Sequence, residues 1–273
     1  MKTPDTIDTG ALTLMLNELR LPTFKALWSE FAERADTEGW PAARFLGVLA
    51  AHEVAERERR RIARHLNNAR LLPGKTLEMF EFDKVPMLSK AQVLALATGD
   101  DWVERGDNVL LFGPPGAGKS HLASAIGLAL VERGRRVLFM RTTDLVQRLQ
   151  AARRDLALES ALNKLDKYHL VILDDLAYVA KDQAETSVLF ELISARYERR
   201  SMIVTANQPF GQWDRVFPDP AMTIAAVDRL VHHSVILEMN VKHSFRQLRA
   251  EHTKKKAPGK QTTRTTAAKT RDD

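Results

Sequence analysis

Gly113-x-x-x-x-Gly118-Lys119-Ser120 is a run of residue types that can hold a chain of phosphates. Glycines let successive backbone N–H groups turn inward around phosphate oxygens, and a helix opening behind the loop adds its positive N-terminal end. In this pattern the lysine reaches the β- and γ-phosphates and the following hydroxyl holds Mg2+, so Lys119 and Ser120 point to a nucleoside triphosphate with its metal ion. The candidate binding segment is Gly113, Pro114, Pro115, Gly116, Ala117, Gly118, Lys119, Ser120 and His121. The plainer alternative is a glycine turn in an ordinary βα unit. The apolar run VLLF before the loop and LASAIGLAL after it supply the strand and helix that a phosphate loop requires.

Such a site also needs acids. Asp174 and Asp175 follow the apolar run LVIL, and an acid at the carboxyl end of a buried parallel strand faces the crevice where these sheets bind ligands. Asp174 is therefore expected to share Mg2+ with Ser120, and Asp175 to polarise the attacking water. Paired acids also serve as helix caps and turns, a reading that the phosphate loop in the same chain disfavours. Asn207 ends the run MIVTAN, either to orient that water or as a turn residue. Arg229 and Arg246 flank the last apolar run; an arginine near the phosphates can accelerate phosphoryl transfer up to about 10⁵-fold. The sequence leaves open whether either one reaches them.

These groups require a scaffold of alternating strands and helices, which gives a parallel sheet. Strands are expected at 109–112, 137–140, 170–173, 202–205 and 234–238, with helices between them and a further helix at 89–97. The first seventy residues read as helices instead. Leu12, Met15, Leu16 and Leu19, and after Pro22 also Phe24, Leu27, Trp28 and Phe31, recur at i, i+3, i+4, i+7. A third helix is expected from Pro41 to about Asn67, with Phe45, Val48, Leu49 and His52 on one face, His52 as a surface residue and not a ligand. Leu77, Phe80 and Phe82, just upstream of the loop, read as core more readily than as a wall for a nucleotide base.

The chain has 273 residues, 44% of them hydrophobic, with no cysteine and a net charge of +6. Disulfides and thiolate chemistry are excluded, and a reducing compartment fits. No apolar run approaches the roughly 18 residues of a membrane span, and the N-terminus lacks an apolar segment behind its lysine, so neither secretion nor a membrane is expected. The basic balance favours a polyanionic partner. Arg57, Arg60, Arg61 and Arg64 share one side of the third helix. They read either as a phosphate-contacting stripe or as a solvated face paired with Glu53 and Glu56 four residues earlier. From Thr253 onward the chain is basic and nearly devoid of apolar residues, a composition that reads as a disordered tail.

The segments GPPGAGKSHLA, VILDDLAYV, LFELISARYERRSMIVTANQPFGQW and AAVDRLVHHS, in this order, resemble the IstB-like ATPases, AAA+ helper proteins of bacterial insertion sequences. These are similar to the helicase loader DnaC and, more distantly, to the initiator DnaA. The resemblance runs from about Ala11 to Arg249. It implies an α/β fold of the AAA+ P-loop NTPase type, a five-stranded parallel sheet flanked by helices behind a small all-helical N-terminal domain. The domains would be 1–72, 73–250 and a tail at 251–273. The Asn207 strand would lie between the loop strand and the Asp174 strand, with Asn207 as the sensor beside the γ-phosphate. Arg229 would be a finger completing the neighbouring subunit's site, and Arg246 a second sensor. The helices between the second and third strands would face DNA, making Arg148, Arg153, Arg154 and Lys164 phosphate contacts.

The function so implied is an ATP- and Mg2+-dependent transposition helper of the bacterial cytoplasm. It would oligomerise on double-stranded DNA, hydrolyse ATP and recruit its cognate transposase. A DnaC-like helicase loader and a nucleotide-gated scaffold with little hydrolysis are the alternatives. Asp175 stands where AAA+ proteins commonly carry glutamate, and the missing methylene sets the base further from the water, so slow hydrolysis is expected. The stretch from Met239 to Phe245 lacks the glycine and tyrosine of the family motif around Arg246.

Overall fold

A computed structural model describes residues 9–176, 183–209, 212–213 and 219–239. Arg246 and the basic tail lie outside the described residues, as do residues 240–245.

The chain opens with α1 (Thr9–Glu18), α2 (Pro22–Glu38) and α3 (Ala42–Ala69). Proline at the first helical position starts α2, and Gly39 stops it in the left-handed conformation at φ 65°. Pro41 precedes α3 and does not join it, since α3 begins one residue later; the helix runs two residues past Asn67. The apolar stripe expected on α1 is largely unburied. Leu16 is buried, but Met15 is exposed and Leu19, which falls beyond the helix end, is 66% exposed. A ten-residue helix packed on α2 has too short a contact to cover four large side chains.

Glu53 explains how α2 and α3 dock. Its buried carboxylate accepts the backbone N–H groups of Thr23 at 2.8 Å and Phe24 at 3.4 Å, so α3 caps the first turn of α2, whose own N-cap residue makes no side-chain bond. Burial works to raise the Glu53 pKa, but hydrogen bonds from Arg57 and Thr23 outweigh it and hold the carboxyl below its usual range. Arg57 also donates to the Arg20 carbonyl at 2.6 Å, tying the α1–α2 turn to α3.

The core begins after a short 3₁₀ turn at Phe82–Lys84. The elements are α4 (Lys90–Thr98), α5 (Asp101–Arg105), β1 (Asn108–Phe112), α6 (Lys119–Glu132), β2 (Val137–Arg141), α7 (Thr142–Arg154) and α8 (Leu158–Asp166). Then follow β3 (Leu170–Asp174), α9 (Gln183–Arg196), β4 (Ser201–Ala206), α10 (Pro220–Val231) and β5 (Ser234–Glu238). The sheet has five parallel strands in the order β2-β3-β4-β1-β5. β1, β3 and β4 are buried on both faces, which is why they read as unbroken apolar runs and not as alternation.

Side-chain alternation splits the core in two. Val109, Leu111, Ile172 and Ile203 pack with α6 residues such as Leu122 and Ile126. Leu110, Val171, Leu173 and Val204 pack with Leu145, Leu149, Leu189 and Leu192 from α7 and α9. Every strand therefore ends at one edge of a helix–sheet–helix sandwich, where the loops after β1, β3 and β4 meet. Among the described residues, no helix is long and apolar enough to cross a membrane.

Arg196, at the end of α9, is 1% exposed. Its guanidinium donates to the carbonyls of Leu165, Tyr168 and Ser201, which joins the end of α8, the turn into β3 and the start of β4. Burial lowers its pKa to about 9.

Candidate nucleotide site

The loop between β1 and α6 is built by conformations that side chains resist. Gly113 has φ 154°, and a Cβ there would lie 2.4 Å from the Met239 carbonyl oxygen, backbone that cannot swing aside. Gly118 has φ 96°, and its Cβ would press to 3.0 Å on the Phe80 ring. Lys119 opens α6 and is buried. Its ammonium donates to the carbonyls of Gly113 at 2.7 Å and Pro114 at 3.0 Å, so the charge lies across the mouth of the loop.

The acids sit two strands away. Asp174 ends β3, and β4 intervenes between β3 and β1, the order that the resemblance implies. One hydroxyl links the two acids: Thr205 Oγ1 donates to Asp174 Oδ1 at 2.7 Å and accepts the Asp175 backbone N–H at 2.9 Å. Asp175 is thereby held with φ 57°, a left-handed position uncommon for residues other than glycine. On the other side, Thr142 Oγ1 donates to the Asp174 carbonyl at 3.0 Å, fixing the first residue of α7 to the tip of β3.

A cavity of about 250 Å³ lies between loop and acids, lined by Pro115, Gly116, Gly118, Lys119, Ser120, His121, Asp175 and Asn207. Asp174 does not line it and is buried. The far wall comes from the segment before the core, where Lys75, Met79 and Phe80 face the same space. Phe80 meets the His121 ring edge-on at 5.3 Å and Phe82 at 4.8 Å, while His121 Nε2 lies 2.9 Å from the Thr76 carbonyl oxygen. Phe80 is thus core and wall at once, whereas Leu77 and Phe82 pack as core. Ser120 and Asp175 line the cavity and Asp174 is the residue before Asp175, so the donors at this end are all oxygens, which suits a hard cation such as Mg2+.

The other candidates separate. Arg229, near the end of α10, stacks over Phe190 at 4.8 Å and does not line the cavity. Arg60 is paired with Glu56 and Arg61 with Glu58, and Arg57 is committed to Glu53 and Arg20. Arg153 pairs with Glu191 and donates to Ser187. Arg64, Arg148, Arg154 and Lys164 have no ion pair among the described residues. His52 is an exposed residue whose ring lies tilted against Phe31, with the centroids 5.2 Å apart. Thr205 and Thr142 were missed at the sequence level. A threonine two residues before Asn207, at the end of an otherwise apolar strand, was the available signal for Thr205.

The family model of IstB-like ATP binding proteins matches residues 14–254. An insertion sequence ATP-binding protein of Sinorhizobium fredii is 71% identical over 251 residues, covering 92% of this chain and 84% of that protein. The insertion sequence IS21 ATP-binding protein of Pseudomonas aeruginosa is 36% identical over 228 residues, covering 84% and 86%. Among solved structures, AMPPCP-bound DnaA from Aquifex aeolicus superposes with a TM-score of 0.53 at 21% identity. It covers 68% of this chain and 56% of the DnaA chain, a likeness of fold.

Proposed function

The chain belongs to the IstB-like ATP binding protein family, and from that premise we propose that it is an ATP-dependent helper of transposition. In this reading it binds duplex target DNA when loaded with ATP, assembles into oligomers there, hydrolyses ATP and presents the target to its cognate transposase. One observation carries the ATPase part: Lys119, Ser120, Asp175 and Asn207 share one cavity, and Thr205 bonds both Asp174 and the backbone of Asp175.

Lys119 exchanges the carbonyls of Gly113 and Pro114 for the β- and γ-phosphates. Ser120 and Asp174 would hold Mg2+, which would supply neutralisation of the charge on the phosphate oxygens. Asp175 accepts a proton from the attacking water, and Asn207 orients that water. Thr205 positions both acids through its single hydroxyl. Arg229, away from its own cavity, serves the γ-phosphate of the next protomer. ATP then favours assembly, and hydrolysis removes the contact and loosens it. The insertion-sequence names of the relatives support a transposase as partner over a replicative helicase.

The short side chain and left-handed backbone of Asp175 favour a second reading, a scaffold that binds ATP without useful hydrolysis. Turnover by the purified protein separates the two. A slow rate that rises in Asp175→Glu and falls about 10²-fold or more in Asp175→Asn fits Asp175 as the base. A rate unchanged in Asp175→Asn removes it from that role and leaves the scaffold.

A further inference from the structure

On the face of the sheet edge opposite in order to β5, the end of α3, the edge strand β2, α7 and α8 enclose a groove of about 610 Å³. Its rim carries Arg70, Arg136, Arg148, Lys164 and Lys167, and no carboxylate lines it. None of these five cations has an ion pair among the described residues. This sets the groove apart from the other arginine-rich surface, the α3 stripe, where Arg57, Arg60 and Arg61 each have a glutamate three or four residues away. The acid nearest in sequence to Lys167 is Asp166, which is turned to Arg199 at 3.1 Å.

The rim is also partly pre-set. The Arg136 backbone is fixed on both sides, its N–H donating to His169 Nδ1 at 2.9 Å and its carbonyl accepting the N–H groups of His169 and Leu170. Arg70 stands in the left-handed position that ends α3, at φ 55°. His65 lines the groove with a buried Nδ1 that has no hydrogen-bond partner. Burial first, and then the charges of Arg61, Arg136 and Arg64, hold the His65 pKa below its usual value. The same causes, burial and then Arg136, Arg200 and Arg135, bring His169 down to about 4. In both rings burial is the larger cause and the neighbouring arginines add to it.

We propose that this groove is where the sugar–phosphate backbone of duplex DNA seats, with Arg70, Arg136, Arg148, Lys164 and Lys167 as the phosphate contacts and the α3 stripe as scaffold. The proposal rests on the DNA-binding reading above and narrows it to one surface. A fully ion-paired arginine must give up its glutamate before it meets a phosphate, whereas an unpaired one releases only counterions from the duplex. The groove is shared by the N-terminal helices and the ATPase core, so neither part alone presents all five cations.

The test compares two variants of the full-length protein that lose equal charge, Arg136→Gln with Lys164→Gln and Arg60→Gln with Arg61→Gln. Fluorescence anisotropy with a labelled duplex, with ATP, is read across a salt series, and thermal unfolding and ATP affinity report on folding. The groove pair is expected to lose at least tenfold in affinity and to flatten the salt slope by about two, at roughly 0.9 per phosphate contact. The α3 pair is expected to change less than threefold. Equal losses in both pairs, or a loss confined to the α3 pair, overturn the groove and leave duplex binding standing. A wild-type protein that binds no duplex overturns the reading on which the groove rests. Intact duplex affinity in the groove pair with lost capture of the transposase assigns the groove to a protein partner and also overturns the proposal.

Discussion

The nucleotide cavity and the basic groove are both charged clefts at the margins of one sheet, and they are built in opposite ways. In the cavity the groups that would meet a nucleotide are held in place: Lys119 lies on two loop carbonyls, and Thr205 holds Asp174 through its carboxylate and Asp175 through its backbone N–H. In the groove the cations are exposed and unpaired. Pre-oriented groups suit a small ligand whose charge develops at defined points. Loose cations suit a polyanion that slides and is held by counterion release. The difference predicts that the cavity is sensitive to single atoms and the groove to total charge.

The sharpest way to break this contrast is Thr205→Val, which removes one oxygen. It removes the hydrogen bonds that the hydroxyl makes to the Asp175 N–H and to Asp174 Oδ1, at about 1–3 kcal/mol. ATP turnover is expected to fall by 10- to 100-fold while the affinity of the ATP-loaded protein for duplex changes little; steady-state turnover and anisotropy on the same preparation check it. A turnover within twofold of wild type means that the acids do not need this anchor, and the contrast loses its first half.

A smaller effect sits beside the groove. His169 is neutral in the folded state, with a pKa of about 4, whereas in the unfolded chain it takes up a proton below about 6.5. Stability is therefore full above pH 6.5 and declines as the pH falls from there to about 4. Asn in place of His169 keeps an acceptor for the Arg136 N–H and is expected to flatten that part of the curve, measured by thermal unfolding between pH 7 and 4.5. An unchanged slope places the acid sensitivity elsewhere.

Much of this was legible from the chain because its signals are local. All five strands fall within one residue of the apolar runs that announce them, and Ser89 caps α4 as a serine before a helical run should. The phosphate loop reads directly from its spacing. What escaped depends on contacts between distant segments. Thr205 matters because β4 lies beside β3, a neighbour relation that periodicity does not encode. Arg70, Arg136 and Lys167 sit in three separate turns and converge only when α3 docks on the edge of β2. The α3 stripe presented the reverse problem: four arginines on one side looked like a surface for phosphates, and local glutamates had already claimed three of them.

If the cavity reads ATP and so controls assembly on DNA, removing either the phosphate lysine or the finger arginine must abolish that assembly. Electron microscopy of the protein on a long duplex, with and without ATP, tests it directly when wild type is set beside Lys119→Ala and Arg229→Ala. ATP-dependent multimers on DNA are expected for the wild type and are expected to be lost in both variants. Multimers that form without ATP, or that survive in both variants, contradict it.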